Sequence, residues 1–235
     1  MFCSILALPN ALMTDTVNTS RFFLLSLVIA FFGSCKKEDP SAIDFGYEYF
    51  PNKVGAYVIY AVDSTVHNGT TTTFNYQMKE LYAEEFVDEI GEPAVRVECY
   101  VRNFNTQPWI LRSVCVQKRG GTNAERVLDN QRVIVLEFPV KEGGTWNGNA
   151  YNNEGAVNFK YLNVGKPVDI GIQEFSNAVT VQQENVTNLV DQRVSREIYA
   201  KGVGNIYRYH KRLNTQNNLT TGYEVEYAAI AYGME

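Results

Sequence analysis

The sequence predicts an all-β protein in which an antiparallel meander forms a barrel or a strongly curved sheet. Aromatic residues make up 13% of the chain, with 15 Tyr and 13 Phe, and these residues favour the pleated surface of a sheet. Segments that alternate apolar and polar residues recur along the chain between short turn signals, as they do in sandwiches and barrels. No segment keeps helical periodicity over eleven residues.

The first strands are predicted on either side of a hairpin turn. Residues 54–66 alternate and end at the sequence HNG, 67–69, which is a strong hairpin signal. Residues 70–78 then form the return strand. Residues 79–90 are ambiguous, because their apolar residues fall four apart and their Glu, Lys and Ala content suits a helix. We interpret them as a continuing strand, because they lie between two turns.

The next predicted hairpin, residues 94–118, contains two cysteines. A turn centred near Thr106 and Gln107 would place Cys99 directly opposite Cys115. Opposite residues in a non-hydrogen-bonded antiparallel pair have Cα atoms ~4.5 Å apart, which is the lower end of the range for a disulfide. Cys99 and Cys115 are therefore candidates for a disulfide. The alternative is two buried thiols that act as small hydrophobic residues.

The remaining strands follow a polar loop and are interrupted by a long loop that carries Trp146. They are predicted at residues 132–140, 157–165, 178–186, 196–213 and 223–233. Within one of them, Gly202-Val203-Gly204 resembles the start of a dinucleotide-binding loop, but the third glycine and the following helix are missing. A bulge or a sharp bend is the better interpretation of this pair of glycines.

A short apolar run that ends at a cysteine predicts where the protein is located. Arg21 precedes an apolar stretch of eleven residues, 22–32, and Gly33 and Ser34 then lead to Cys35. The stretch is too short to span a bilayer, which needs ~20 helical residues, and it has the layout of a signal-peptide core. A cysteine directly after small residues is typical of a bacterial lipoprotein. Cys35 is thus the predicted site of lipid attachment.

This interpretation divides the chain into three parts. Residues 1–34 are the predicted lipoprotein signal peptide, residues 35–47 the lipidated N-terminus and flexible tether, and residues 48–235 a single antiparallel β domain. A start at Met13 instead of Met1 would give a more ordinary leader.

The composition argues against several function classes. The net charge of the whole sequence is −5. It is also −5 for residues 35–235, because residues 1–34 contain one basic residue, Arg21, and one acidic residue, Asp15. Nucleic-acid binding would require a basic patch or stripe, so we expect no nucleic-acid partner. The His and Cys residues are not clustered as in a zinc site, and no nucleophile motif is present. We therefore predict no catalytic residue, metal or cofactor, and we expect both histidines, His67 and His210, to be exposed.

Paired carboxylates are the one catalytic option that remains. Glycosidase chemistry needs two carboxyl groups at a set separation, and four lie close together in the sequence: Glu84, Glu85, Asp88 and Glu89. Such a run is more typical of a solvated charged face. Trp109 and Trp146 could stack on a sugar ring, but tryptophans are more often anchors of a core or a loop.

Several phrases resemble segments of a group of uncharacterised lipoproteins from Bacteroidota-type envelopes. These phrases are YFPNKVGAYVIY, PWILRSVCVQKR, LEFPVKEGGTWNGNAYN, EFSNAVTV and REIYAKGVGNIYRY, and they occur in this order over nearly all of the mature chain. The resemblance implies an antiparallel β domain on a lipid tether, with no assigned activity. It also implies that Lys37, Glu38 and Asp39 match the signal that sends such lipoproteins to the outer surface of the outer membrane.

The function expected from the sequence is therefore non-enzymatic. The leading hypothesis is a surface-exposed outer-membrane lipoprotein with a role in binding or envelope assembly, whose partners are the membrane, through its anchor, and envelope proteins. One alternative is a carrier of a lipid or another apolar small molecule, because curved sheets and barrels can hold such a ligand. A second alternative is a hydrolase with paired carboxylates.

Overall fold

The computed structural model describes residues 43–171 and 173–235. The predicted signal peptide, Cys35, Lys37, Glu38 and Asp39 lie outside the described residues. Residues 44–235 form one compact unit.

That unit consists of one 3-10 turn and twelve strands. The turn is Tyr47–Tyr49. The strands are β1 (Ala56–Asn68), β2 (Thr71–Val87), β3 (Pro93–Arg102), β4 (Ile110–Arg119), β5 (Asn123–Leu128), β6 (Gln131–Glu137), β7 (Thr145–Asn147), β8 (Asn158–Asp169), β9 (Glu174–Thr187), β10 (Asp191–Ala200), β11 (Gly204–Gln216) and β12 (Leu219–Met234).

The strands form a single antiparallel sheet that closes almost completely into a barrel. The order is β6-β5-β4-β3-β2-β1-β12-β11-β10-β9-β8-β7. Each strand therefore pairs with its neighbours in the chain, except that β6 and β7 are the two ends of the sheet and that β1 also pairs with β12. The two end strands, β6 and β7, approach each other. The amide of Ile134 on β6 donates to the carbonyl of Gly148, directly after β7, at 2.9 Å. The indole of Trp146 donates to the carbonyl of Ile134, also at 2.9 Å. The predicted fold class is confirmed.

Alternation along the strands separates the inside of the barrel from the outside. On β1, Val58, Tyr60 and Val62 are all buried. Val62 pairs with Tyr76 on β2 and with Tyr227 on β12, so residues of the same parity on neighbouring strands face the same interior. The alternation Val95, Val97, Cys99, Val101 in the sequence predicted this pattern on β3.

The segment before β1 closes one end of the barrel. Tyr49 and Phe50 are buried in the largest apolar cluster of the core. Nη1 of Arg119 donates to the carbonyl of Phe50 at 2.9 Å, and the amide of Gly202 donates to the carbonyl of Glu48 at 2.8 Å. These bonds fix the segment to the turns at this end. The opposite end is surrounded by the turns β1–β2, β3–β4, β5–β6, β9–β10 and β11–β12, and it is open.

Two local predictions are confirmed at the level of the backbone. The ambiguous segment 79–90 continues β2 as far as Val87 and is not helical. Gly202 and Gly204 form a sharp bend between β10 and β11, with φ angles of 78° and 97°. Only glycine adopts such angles at little cost, which explains why two glycines lie here.

The register predicted for the hairpin of β3 and β4 is wrong by two residues. Cys99 pairs with Ser113, and Cys115 pairs with Val97. The register shifts between Cys99 and Tyr100 because Arg112 is an extra residue on β4 without a partner on β3. A turn that lies nearer the N-terminus than expected accounts for the difference, and the β-bulge offsets it by one residue, because without the bulge Cys99 would face Arg112.

Candidate ligand-binding site

The interior of the barrel contains a cavity that opens at the turn end. It has two lobes of about 560 Å³ and about 780 Å³. Both are lined by the same four residues, Arg126, Leu128, Arg208 and Tyr227, so they meet there. Each volume lies in the range of small-molecule binding pockets, ~300–1,000 Å³. The protein's own side chains thus leave room for a ligand.

The walls of the larger lobe are about half apolar or aromatic and half polar or charged. Besides the shared residues, this lobe is lined by Tyr76, Met78 and Val101 on β2 and β3, and by Phe74 and Phe104 near its mouth. The smaller lobe has apolar walls on β6 and β8, from Val133, Val135 and Phe159.

The mouth of the cavity carries exposed apolar side chains on several separate turns. Examples are Phe74, Phe104, Ile110, Leu189 and Leu219, of which Leu189 is 96% exposed. Single exposed apolar residues are ordinary on protein surfaces. Here they recur on four of the turns that surround the same opening, so an apolar ligand meets apolar surface on its way into the barrel.

A buried ion cluster forms the floor between the two lobes. Glu80 is only 1% exposed and accepts hydrogen bonds from Nη1 and Nη2 of Arg208 at 2.8 and 2.7 Å. Nη2 of Arg126 donates to the same carboxylate. Burial alone would raise the pKa of Glu80, but the two guanidinium groups hold it well below its usual range. One carboxylate therefore pairs with two cations.

The ion cluster was not predicted from the sequence, because its members come from three strands. Along the chain, Glu80 is 46 residues from Arg126 and 128 residues from Arg208. Each lies at an inward position of its strand, as shown by the pairing of Glu80 with Cys99 and of Arg208 with Tyr227. The sequence did contain one indication of the cluster. Glu80 lies between the apolar residues Met78 and Tyr82, and residues two apart on a strand face the same side, so a charged residue at this position points toward the core.

A second polar group lies beside the cluster. The hydroxyl of Tyr199 donates to Oε2 of Glu197, and Nδ2 of Asn205 approaches the same oxygen at 3.4 Å. Glu197 pairs with Arg208 across β10 and β11. Burial raises the pKa of Tyr199 well above its usual value, so this hydroxyl stays protonated and donates.

His210 is not exposed as predicted but lies inside the cavity, where it lines the smaller lobe. Its Nδ1 is 2.7 Å from the hydroxyl of Ser195, its partner across β10 and β11. That hydroxyl donates to Oε1 of Gln183 at 2.6 Å. The Ser195 hydroxyl thus lies between the side chains of Gln183 and His210. His67 lies outside the cavity at the β1–β2 turn, 3.3 Å from Thr71.

The carboxylates considered for hydrolysis do not converge. Glu84, Glu85 and Glu89 are exposed, and Asp88 forms an ion pair with Lys118 at 2.6 Å. None of the four lines the cavity. The alternative of a solvated charged face is the one that the geometry supports.

The two tryptophans have different environments. Trp146 is buried on β7, with its ring packed against Phe159 and Tyr161, so it is a core anchor and not a sugar platform. Trp109 lies at the β3–β4 turn under the guanidinium of Arg102, 4.2 Å from the ring centroid.

The two cysteines are neighbours of the ion cluster. Both are buried free thiols, and Sγ of Cys99 lies 4.0 Å from Oε1 of Glu80. Hydrogen bonding to Cys115 and burial raise the pKa of Cys99. The predicted direct opposition of the pair is wrong, as described above, and the disulfide between Cys99 and Cys115 stays a prediction.

In residues 43–171 and 173–235, no three His, Cys, Asp or Glu side chains are grouped as metal ligands. No helix in that same part of the chain has the length and apolar character needed to cross a membrane.

Comparison with known proteins gives a distant structural resemblance. The fold is similar to the solved structure of a candidate exported protein with a YmcC-like fold from Bacteroides fragilis, with a TM-score of 0.41 and 10% identity over 78% of this chain and 98% of that chain. At this level the similarity carries no argument about function. No model of a protein family matches the chain, and a search of curated proteins finds no match.

Proposed function

We propose that this protein is a non-enzymatic binding protein of the bacterial envelope, anchored by a lipid on Cys35, whose barrel takes up a small molecule with a large apolar part. The open cavity is the observation that carries this proposal. A purely structural scaffold would fill its barrel with side chains, as packed protein interiors do. Here the two lobes remain open, and apolar side chains line part of both lobes and of their mouth.

The position of the tether supports uptake from the side away from the anchoring membrane. Asp44 bonds to Lys201 in the β10–β11 turn, at the closed end of the barrel. Eight residues lie between Cys35 and Asp44, and the nine steps from one to the other reach roughly 30 Å when extended. A lipid on Cys35 would therefore hold the closed end near the bilayer and leave the mouth accessible. If Lys37, Glu38 and Asp39 act as an export signal, the mouth faces the medium.

Binding can be tested with the chain from Asp44 to Glu235, since this compact unit contains every contact described above. We expect the neutral apolar dye 1-N-phenylnaphthylamine to bind saturably, with one site per chain. Val101→Trp fills part of the larger lobe and should weaken binding at least tenfold. Val114→Trp on the neighbouring strand is the matched control, because Val114 is 39% exposed and does not line the cavity. Absence of saturable binding, or equal loss in both variants, would contradict the proposal.

The anchor is tested independently of the cavity. Cys35→Ala should abolish metabolic labelling by palmitate, because it removes the thiol that would be acylated. Cys3→Ala is the matched control: Cys3 lies in the predicted signal peptide, so labelling should be unchanged. Continued labelling of Cys35→Ala would refute the lipoprotein interpretation without affecting the binding proposal.

A further inference from the structure

The larger lobe has an excess of positive charge. Of the residues that the structure describes, three arginines line it, Arg112, Arg126 and Arg208, and Glu80 is the one carboxylate. The smaller lobe differs, because it is also lined by Asp129, Glu184 and Glu197. An anionic group would therefore be attracted more strongly to the larger lobe than to the smaller one.

The arginines of the floor retain hydrogen-bond donors that the protein does not use. Nη2 of Arg126 donates to Glu80, while its other guanidinium nitrogens have no acceptor among the described side chains, and the side chain is 18% exposed to the cavity. Nε of Arg208 is buried without a partner in the described part of the chain, and Arg208 as a whole is 94% buried, with 6% of its surface exposed. Nε of Arg208 is thus enclosed by the protein itself, whereas the unused donors of Arg126 belong to a side chain that lines the cavity and can reach an oxygen of a ligand.

Arg112 adds a third cation nearer the mouth. It is the extra residue of the bulge on β4, between the pairs Cys99–Ser113 and Tyr100–Leu111. Bulges re-aim side chains, and this one brings Arg112 to the lining of the larger lobe. Among the residues that the structure describes, no carboxylate lies within ion-pair distance of Arg112.

We propose that the larger lobe binds an amphipathic anion head first, with a carboxylate or phosphate oxygen on Arg126 and Arg112 and an apolar tail that runs toward Phe74 and Phe104 at the mouth. This inference rests on the proposed function and specifies the class of its ligand. Charge-assisted hydrogen bonds to guanidinium are about twice as strong as neutral ones. The head group should therefore contribute a clear preference over a neutral molecule of the same length.

The test compares three ligands with the same twelve-carbon chain in displacement of 1-N-phenylnaphthylamine from the chain 44–235. Dodecanoate, dodecyl phosphate and dodecanol share a tail and differ in the head. We expect at least one of the two anions to bind at least tenfold more tightly than dodecanol. The stronger of the two identifies the head as a carboxylate or a phosphate. Equal or tighter binding of dodecanol, with the dye still bound, would overturn this inference and leave the proposed function standing. Failure of the dye itself to bind would overturn the proposed function.

Variants assign the preference to the arginines. Arg112→Gln and Arg126→Gln should each reduce the preference for the anion at least threefold while the neutral dye still binds. Arg96→Gln is the control, because Arg96 lies on the outer face of β3 and pairs with Glu98, and it should keep the full preference. If Arg126→Gln loses the dye because the buried cluster is disturbed, Arg112→Gln decides the question, since Arg112 is outside that cluster. An unchanged preference in Arg112→Gln would then contradict the inference.

Discussion

Glu80→Gln is expected to lower the free energy of unfolding by about 3–5 kcal/mol, the usual cost of removing one partner of a buried ion pair. The carboxylate is 1% exposed and is the shared partner of Arg126 and Arg208. A glutamine would leave two buried guanidinium groups without a counter-charge. For a domain of this size the melting temperature should fall by roughly 10–15 °C.

Urea unfolding of the chain 44–235 measures this loss, with Glu84→Gln as the matched control. Glu84 lies on the same strand but is exposed, and its substitution should change the stability by less than ~0.5 kcal/mol. A combined Glu80→Leu, Arg126→Met, Arg208→Met variant should recover much of the loss, because apolar replacement of a buried ion cluster is often neutral or stabilising. Equal stability of Glu80→Gln and Glu84→Gln would show that the cluster does not hold the barrel together.

The same group predicts the behaviour of the protein in acid. The pKa of Glu80 is lowered in the folded protein, so its stabilising effect is fully present above the unfolded pKa of ~4.3 and is lost as the pH falls toward the folded value. The wild-type melting temperature should therefore decline below about pH 4 more steeply than that of Glu80→Gln. Parallel declines would contradict the assignment of this effect to Glu80.

Gly222→Ala is expected to destabilise the domain by about 3 kcal/mol or more, from a steric clash and backbone strain of roughly 1–3 kcal/mol each. Gly222 has a φ of 122°, and a Cβ there would lie 3.0 Å from the carbonyl carbon of Arg212 and even closer to its oxygen. Both contacts are with the backbone of β11, which cannot move away without breaking its pairing with β12. The melting temperature should fall by roughly 6–12 °C.

Gly121→Ala is the matched control for this substitution. A Cβ at Gly121 meets no atom within 4 Å, and its φ lies outside the left-handed region. Thermal unfolding of the two variants should therefore separate the effect of the site from the effect of a methyl group. A stable Gly222→Ala protein would mean that the β11–β12 hairpin adapts to a side chain at this position.

The sequence predicted those features of the fold that depend on neighbouring residues. The alternation on β3 and the turn at residues 67–69 are local signals, and the meander follows when each strand pairs with the next. The bulge at Arg112 has no such local signal, because it depends on which residues of β4 meet β3. The partner of Cys99 differs from the predicted one by two positions because the turn lies nearer the N-terminus than expected, and the bulge offsets one position of that displacement.

The candidate site was much harder to predict than the fold. His210 follows basic and aromatic residues in the sequence, which suggested exposure, but its parity on β11 directs it into the barrel with Arg208. Glu80 stands at the start of an acidic segment and resembled its exposed neighbours Glu84 and Glu85. Only the closure of the sheet brings it to two arginines from distant strands.

The pairing of β1 with β12 also constrains how the protein matures. The first and last strands of the domain lie side by side along the whole of β1, so the ring remains incomplete until the final sixteen residues of β12 have been synthesised and delivered. Until then β1 and β11 each have an unpaired edge, which is a template for aggregation. Contacts between residues so far apart in the chain also form slowly. The incomplete chain therefore needs protection until β12 has paired, and a protein truncated before Leu219 should accumulate as aggregate.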